Sequence, residues 1–196
     1  AGEWVWSEES EDSMSEDALP HVTVLRDEVV AALAPGEGTF VDATLGAGGH
    51  TEAILEAYPA ARVIGFDRDE RALSLARPRL ERFGDRVTFI RAPFGRMRAE
   101  LDDRGVARVA GICADLGVSS MQLDEADRGM SFRREGPIDM RMDMQSGDTA
   151  LELIEELSDE ELADVIFRLG DERRSRRIAR SIKRALGAGE LRTTTD

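Results

Sequence analysis

The sequence has one cysteine, Cys113, among 196 residues. A single thiol allows no internal disulfide and no cysteine-only metal site, and no metal is expected. No run approaches the roughly 18 apolar residues of a membrane-spanning helix, which leaves a membrane partner without support. Residues 1–20 contain neither the apolar core nor the basic start of a secretory signal, so the expected location is cytoplasmic. There is no Gly-Lys-Ser/Thr phosphate loop and no internal repeat. Positive charge is also short, with 26 Lys and Arg against 40 Asp and Glu, a net −14. That total argues at first against nucleic acid, but a polyanion is guided by local fields and not by the overall balance.

Locally the balance is uneven. Residues 1–20 hold seven acids and no Lys or Arg, are rich in serine and show no periodicity, which predicts a disordered tail. Trp4 and Trp6 in that tail either dock elsewhere or have no role. Residues 166–196 hold nine basic and four acidic residues. With 41% hydrophobic residues the rest can bury a core. "TVLRDEVVAAL" has helical spacing and is stopped at Pro35 and Gly36. "TFVDAT", "RVIGFD", "VTFI" and "RVAGICADLG" read as strands, the last buried on both faces and ending at Asp115. "HTEAILEAY", "ERALSLARPRLERFG" and "FGRMRAELDDRG" read as the helices between them. Strands alternating with helices predict a parallel, doubly wound α/β sheet. After about residue 125 the alternation ends. An irregular stretch is followed by helices over 149–170, one started by Ser158 with Glu161 at capping-box spacing, and by a helix over 173–186 closed by Gly187. The domain organisation expected is a tail over 1–20, a sheet core over 21–125 and a helical segment over 126–196. "LRTTTD" reads as a helix start, and with only four strands the sheet is expected to be incomplete in this chain.

In such a sheet, ligands sit beyond the carboxyl ends of the strands. "VDATLGAGGHTEAIL" runs from a strand through a turn with Gly46, Gly48 and Gly49 into a helix. The dinucleotide fingerprint needs a third glycine where Thr51 stands, and no Lys or Arg lies near the turn, with His50 the closest candidate. The second strand ends in Asp67, about 20 residues after the turn, where a carboxylate takes ribose hydroxyls. Phe94 follows the third strand and either walls an adenine or packs in the core. Asp115 ends the fourth, before a small-residue loop. A glycine turn, a ribose acid, an aromatic and a second acid without phosphate ligands fit a nucleoside cofactor, pointing to S-adenosylmethionine.

"HVTVL", "DATLGAGGHT", "GFDRD", "APF", "DLGVSSMQLD", "RGMSF", "GPIDMRMD" and "GDERRSRRIARSI" occur in that order over residues 21–196. Together they resemble the bacterial 16S ribosomal RNA (cytosine-N4)-methyltransferase family, the RsmH or MraW type. The resemblance implies a Rossmann-like methyltransferase with a helical substrate domain inserted after the fourth strand. It implies transfer from S-adenosylmethionine to the exocyclic amine of one cytidine in the decoding (P-site) region of small-subunit rRNA. By motif, Gly48, Gly49 and His50 line the cofactor, Asp67 takes the ribose, and Phe94, Asp115 and Gln122 complete the pocket. Asp115 or a nearby carbonyl is the candidate acceptor for the amine proton, a purely cofactor-binding Asp115 being the alternative.

On the substrate side, "IDMRMDM", if extended, puts Asp139, Arg141 and Asp143 on one side and methionines on the other. It is either a polar rim near the target base or a salt-bridged structural loop. The 173–184 stretch carries Arg173, Arg174, Arg176, Arg177, Arg180, Lys183 and Arg184 without an acid, so it is either an RNA phosphate contact or a solvated face. Arg133 and Arg134 would extend it. Two rival readings share parts of this pattern: a dinucleotide oxidoreductase, and a non-catalytic RNA-binding module. The partner expected is 16S rRNA or the small ribosomal subunit. The oligomeric state is open, a homodimer included.

Overall fold

The computed structural model describes residues 23–34 and 36–196. The acidic tail, Trp4, Trp6 and Pro35 lie outside the described residues. Helix α1 (Arg26–Ala32) leads into β1 (Gly38–Asp42), α2 (Gly49–Ala57), β2 (Ala61–Asp67), α3 (Glu70–Leu80), β3 (Val87–Arg91), α4 (Met97–Asp103) and β4 (Gly111–Cys113). The four strands are parallel in the order β3-β2-β1-β4. From β1 the chain steps outward to β2 and β3 and then crosses back to β4 on the other side. The order therefore reverses between β1 and β4, and their carboxyl ends form the switch point.

Alternation along the strands builds one core on each face of the sheet. Phe40, Val63 and Val87 share a face with Ile54 and Leu55 of α2 and Leu73, Ala76 and Leu80 of α3. Val41, Ile64, Phe66 and Ile90 point the other way, onto Leu101 of α4. Helices on both faces make the fold Rossmann-like, as the alternating pattern predicts.

β4 departs from expectation. It is three residues long, ends at Cys113 rather than Asp115, and Ile112 is 52% exposed. It pairs only with β1 among the described residues, so one face and one edge stay open where burial on both faces is expected.

Beyond β4 come α5 (Ser120–Asp124), an irregular stretch, then α6 (Ala150–Glu156), α7 (Asp159–Gly170) and α8 (Ser175–Ala188). The capping box at Ser158 and Glu161 forms as its spacing predicts, and Thr149 with Glu152 forms a second one at α6. α7 and α8 bury Leu162, Ala163 and Ala179 against Ile154, Leu157, Ile166 and Ile182. α8 runs through Gly187, the expected stop, and ends where Gly189 turns left-handed. "LRTTTD" starts no helix among the described residues. Thr194 instead pairs with the backbone of Gly136, and Asp196 accepts N–H bonds from Arg192 and Thr193.

Candidate cofactor site at the strand ends

The glycine turn is shaped by the two aspartates that close β1 and β2. Asp67 accepts the Gly46 N–H on Oδ2 at 2.8 Å and the Asp69 N–H on Oδ1 at 2.9 Å. Leu45 N–H donates to the Phe66 carbonyl at 2.8 Å, and its side chain lies over Gly65, where a Cβ would come within 2.8 Å of it. The turn is therefore laid across the carboxyl end of β2. Burial pushes the Asp67 carboxyl above the ordinary carboxylate range, against the pull of those two N–H bonds.

The three glycines have different duties. Gly46 is left-handed at φ 53°, a Cβ there would meet only the Thr44 carbonyl oxygen at 3.9 Å, and its N–H meets Asp67. Gly48, at φ 85°, is the N-cap of α2, and a Cβ there would meet Leu80 at 2.9 Å. Gly49 lies against Thr23, whose Oγ1 would be 1.9 Å from an added Cβ. His50, close to buried, hydrogen-bonds the Val24 carbonyl through Nε2 at 2.9 Å. Of the three, only Gly46 has no side chain against its Cβ position, while Gly48, Gly49 and His50 are engaged by other side chains or backbone.

Asp42, at the end of β1, is a site residue that the sequence pattern alone did not single out. It is 1% exposed, accepts the Thr51 hydroxyl at 2.8 Å and the Thr44 N–H at 3.3 Å, and has no ion-pair partner among the described residues. Burial pushes its carboxyl up from the usual range. Thr44 Oγ1 in turn accepts the Asp115 N–H at 2.7 Å, so Asp42, Thr44, Thr51 and Asp115 form one connected set across the switch point. Thr51, which breaks the dinucleotide fingerprint, supplies the hydroxyl that holds Asp42. The signal was available in the sequence as an aspartate closing a strand nine residues before a hydroxyl in the next helix. The Cys113 thiol, beside Asp42, is pushed well up by burial and by that carboxylate, consistent with an inert packing residue.

Of the remaining candidates, Phe94 begins a short 3₁₀ turn after β3 and is 53% exposed, so it is not core packing. The Asp115 side chain is exposed. Gln122 is engaged locally: its Oε1 accepts the Ser119 N–H at 3.0 Å, and Ser119 Oγ accepts the Gln122 N–H at 3.3 Å.

The "IDMRMDM" segment is not extended. Met140 is left-handed at φ 61°, which turns the chain and breaks the alternation. Asp139, 7% exposed, pairs with Arg141 at 2.7 Å, and that guanidinium holds its carboxyl below the usual range. Asp143 leaves that group and pairs with Arg91 of β3 at 3.3 Å. Both Asp139 and Asp143 are thus salt-bridged.

In and before α8, Arg173, Arg174, Arg176, Arg177, Arg180 and Arg184 are exposed. Lys183 is not free, since its Nζ donates to the Ile154 carbonyl at 2.8 Å near the end of α6. Arg133 is exposed, whereas Arg134 donates to the Asp124 carbonyl at 2.7 Å and staples the loop to α5.

The sequence model of the MraW methylase family matches residues 18–196. Similar proteins include the ribosomal RNA small subunit methyltransferase H of Sorangium cellulosum (strain So ce56), 65% identical over 90% of this chain and 56% of that protein. The protein of the same name from Methylobacterium nodulans (strain LMG 21967 / CNCM I-2342 / ORS 2060) is 46% identical over 89% of this chain and 52% of its own length. That from Acinetobacter baylyi (strain ATCC 33305 / BD413 / ADP1) is 46% identical over 90% and 58%. The chain thus spans about half the length of the curated relatives it matches.

The buried Asp42 gives a stability prediction with a definite sign. A carboxyl whose folded pKa lies above its unfolded value of 3.8 stabilises the fold fully below that value. That contribution is lost as pH rises through the folded pKa, because the unfolded chain ionises first. Asp42→Asn keeps the shape but cannot ionise. The stability of Asp42→Asn minus that of the parent, both unfolded in urea, should therefore rise as the pH is raised from the unfolded value of 3.8. A difference independent of pH above that value would show that Asp42 is not a strained acid.

Proposed function

The chain belongs to the MraW methylase family, and from that premise we propose that it carries the cofactor site of an S-adenosylmethionine-dependent methyltransferase acting on small-subunit ribosomal RNA. The relatives' shared name supports the substrate class. The acceptor in this reading is the N4 amine of a cytidine in the decoding region of 16S rRNA. Residues 21–125 serve as the cofactor-binding core and 126–196 as the substrate segment, in a cytoplasmic enzyme.

The observation that carries the reading is the Asp67 carboxylate at the end of β2, one oxygen fixed by the glycine turn and the other by Asp69. A carboxylate has about four acceptor sites, so two N–H bonds leave capacity for two ribose hydroxyls. The residues present fit the cofactor: a fixed ribose acid, an exposed Phe94 face for adenine, no side chain over Gly46, and no Lys or Arg in residues 41–55 for a pyrophosphate. When bound, S-adenosylmethionine supplies an electrophilic methyl group on a sulfonium. The cytosine amine is a weak nucleophile because its lone pair is delocalised into the ring. The protein's task is to orient that amine and to take up its proton. Orientation alone is worth about 7–11 kcal/mol in favourable intramolecular models. Asp115, tethered through its N–H to Thr44 and exposed in its side chain, is the acceptor in this account.

The exposed arginines in and before α8 provide the phosphate contacts, with Arg133 extending them. Ser175 and Ala179 face the α7 side, which leaves Arg173, Arg174, Arg176, Arg177, Arg180 and Arg184 toward solvent. Arg134 and Lys183 position the segment, and the Asp139–Arg141 pair forms its polar rim.

The direct test is transfer of labelled methyl from S-adenosylmethionine to small ribosomal subunits, with the product nucleoside identified by mass. N4-methylcytidine is expected, and Asp115→Asn should lower the rate by about a hundredfold or more. A methyl group on another atom, or an Asp115→Asn chain with full activity, would contradict the assignment. A second test is ionic. RNA affinity should fall linearly with the logarithm of salt, and Arg177→Gln with Arg180→Gln should reduce the slope by about 0.7–0.9 for each phosphate that is no longer neutralised. A slope equal to the parent's would remove α8 from the RNA-binding surface.

A further inference from the structure

The stretch "GFDRD" closes β2 with two aspartates, and the cofactor site uses the side chain of only the first, with the backbone N–H of the second holding it. Asp69 is 7% exposed. Its Oδ1 caps α3 by accepting the Arg71 N–H at 3.0 Å, and its Oδ2 meets Nη2 of Arg128 at 2.7 Å. Arg128 belongs to "DRGMSF", on the far side of β4 in the chain, and it is 1% exposed.

Arg128 is also joined to the loop that carries the Asp139–Arg141 pair. Its Nη2 donates to the Met142 carbonyl at 2.9 Å, and its own carbonyl accepts the Met140 N–H at 3.0 Å. Gly129 allows this closeness, because a Cβ there would come within 2.1 Å of the Pro137 carbonyl oxygen. The connection runs from Gly46 N–H to Asp67, from Asp67 to the Asp69 N–H, and from the Asp69 carboxylate through Arg128 to residues 140 and 142.

Two features show that this is more than a packing contact. Between residues 125 and 149 only Arg128, Gly129 and Asp139 are buried, so no apolar side chain of the loop is fully buried. Its other ties to the sheet end, Arg71 to Glu125 and Asp127 and Arg91 to Asp143 and Gln145, are partly solvent-exposed contacts that hold little. Burial of Arg128 is also costly, because Nε and Nη1 have no hydrogen-bond partner among the described residues. An apolar side chain of similar volume commonly serves stability as well as or better than a buried ion pair. What the ion pair adds is register.

We propose that Arg128 is a positioning residue: through its buried pair with Asp69 it fixes the 138–143 loop in register on the strand end that holds the ribose acid. The inference rests on the reading of Asp67 as that acid. It assigns to Asp69 and Arg128 the alignment of the substrate loop with the cofactor.

The test uses the full chain with Arg128→Met, Arg128→Lys and Asp69→Asn. Hydrogen exchange is read at Met140, Ala150 and Leu151, whose N–H groups bond to the carbonyls of Arg128, Asp139 and Ile138. These amides should exchange about tenfold faster or more in Arg128→Met, while Leu45 and Ala92, on the β2 end, stay as in the parent. S-adenosylmethionine affinity should remain within about twofold, whereas methyl transfer at saturating cofactor falls about tenfold or more. Arg128→Lys keeps the charge without the fork, so an intermediate exchange rate is expected, and it serves as the readout should Arg128→Met not fold. Unchanged exchange at Met140, Ala150 and Leu151 would overturn the proposal, and so would acceleration shared equally by Leu45 and Ala92. A parent chain that binds no S-adenosylmethionine would instead overturn the functional reading, and the exchange pattern would still decide the role of Arg128 in the loop.

Discussion

Two carboxylates at the ends of adjacent parallel strands, Asp42 and Asp67, fix the chain that crosses those strand ends. Each accepts hydrogen bonds from the loop that passes over it: Asp42 from Thr44 and Thr51, Asp67 from Gly46 and Asp69. Both are pushed upward chiefly by burial, the cost of taking each carboxyl out of water at its strand end. The turn gains a fixed shape in return. Without these acceptors the Thr44 and Gly46 N–H groups would lose their partners.

The same logic extends outward by one further shell. The sheet's two faces are closed by ordinary apolar packing, Phe40, Val63 and Leu73 on one side and Val41, Phe66 and Leu101 on the other. The segment after β4 has its own apolar cluster between α7 and α8. Between those clusters lies a polar seam, with Asp69 and Arg128 at its dry centre and Arg71 and Arg91 at its wet margins. Apolar contact sets how tightly each part packs, and directional polar contact sets the register of one part on the other.

Much of this was legible in the sequence. The strands could be read from their apolar runs, the carboxylate set beside the glycine turn from its distance to that turn, and the α7 start from Ser158 and Glu161, because each signal is local. What was not legible depended on tertiary partners. Thr51 looked like a missing glycine until Asp42 was seen beneath it. The exposure of Ile112 follows from β4 lying at an edge of the described sheet, which its apolar sequence does not reveal. Met140 breaks the alternation of "IDMRMDM" through a left-handed turn fixed by the Arg128 carbonyl. Gly187 and Gly189 are equally able to end a helix, and only the observed backbone distinguishes them. Arg128 reads as one arginine among many, and its burial becomes visible only once Asp69 is placed beside it.

The measurement that bears most directly on the central claim is equilibrium binding of S-adenosylmethionine and of NADH to this chain by calorimetry, with Asp67→Ala alongside. Binding of S-adenosylmethionine alone is expected, in the micromolar range or about −8 kcal/mol, and it should disappear in the variant. Binding of NADH in its place, or S-adenosylmethionine binding that survives Asp67→Ala, would contradict the role given to Asp67 and the strand ends around it.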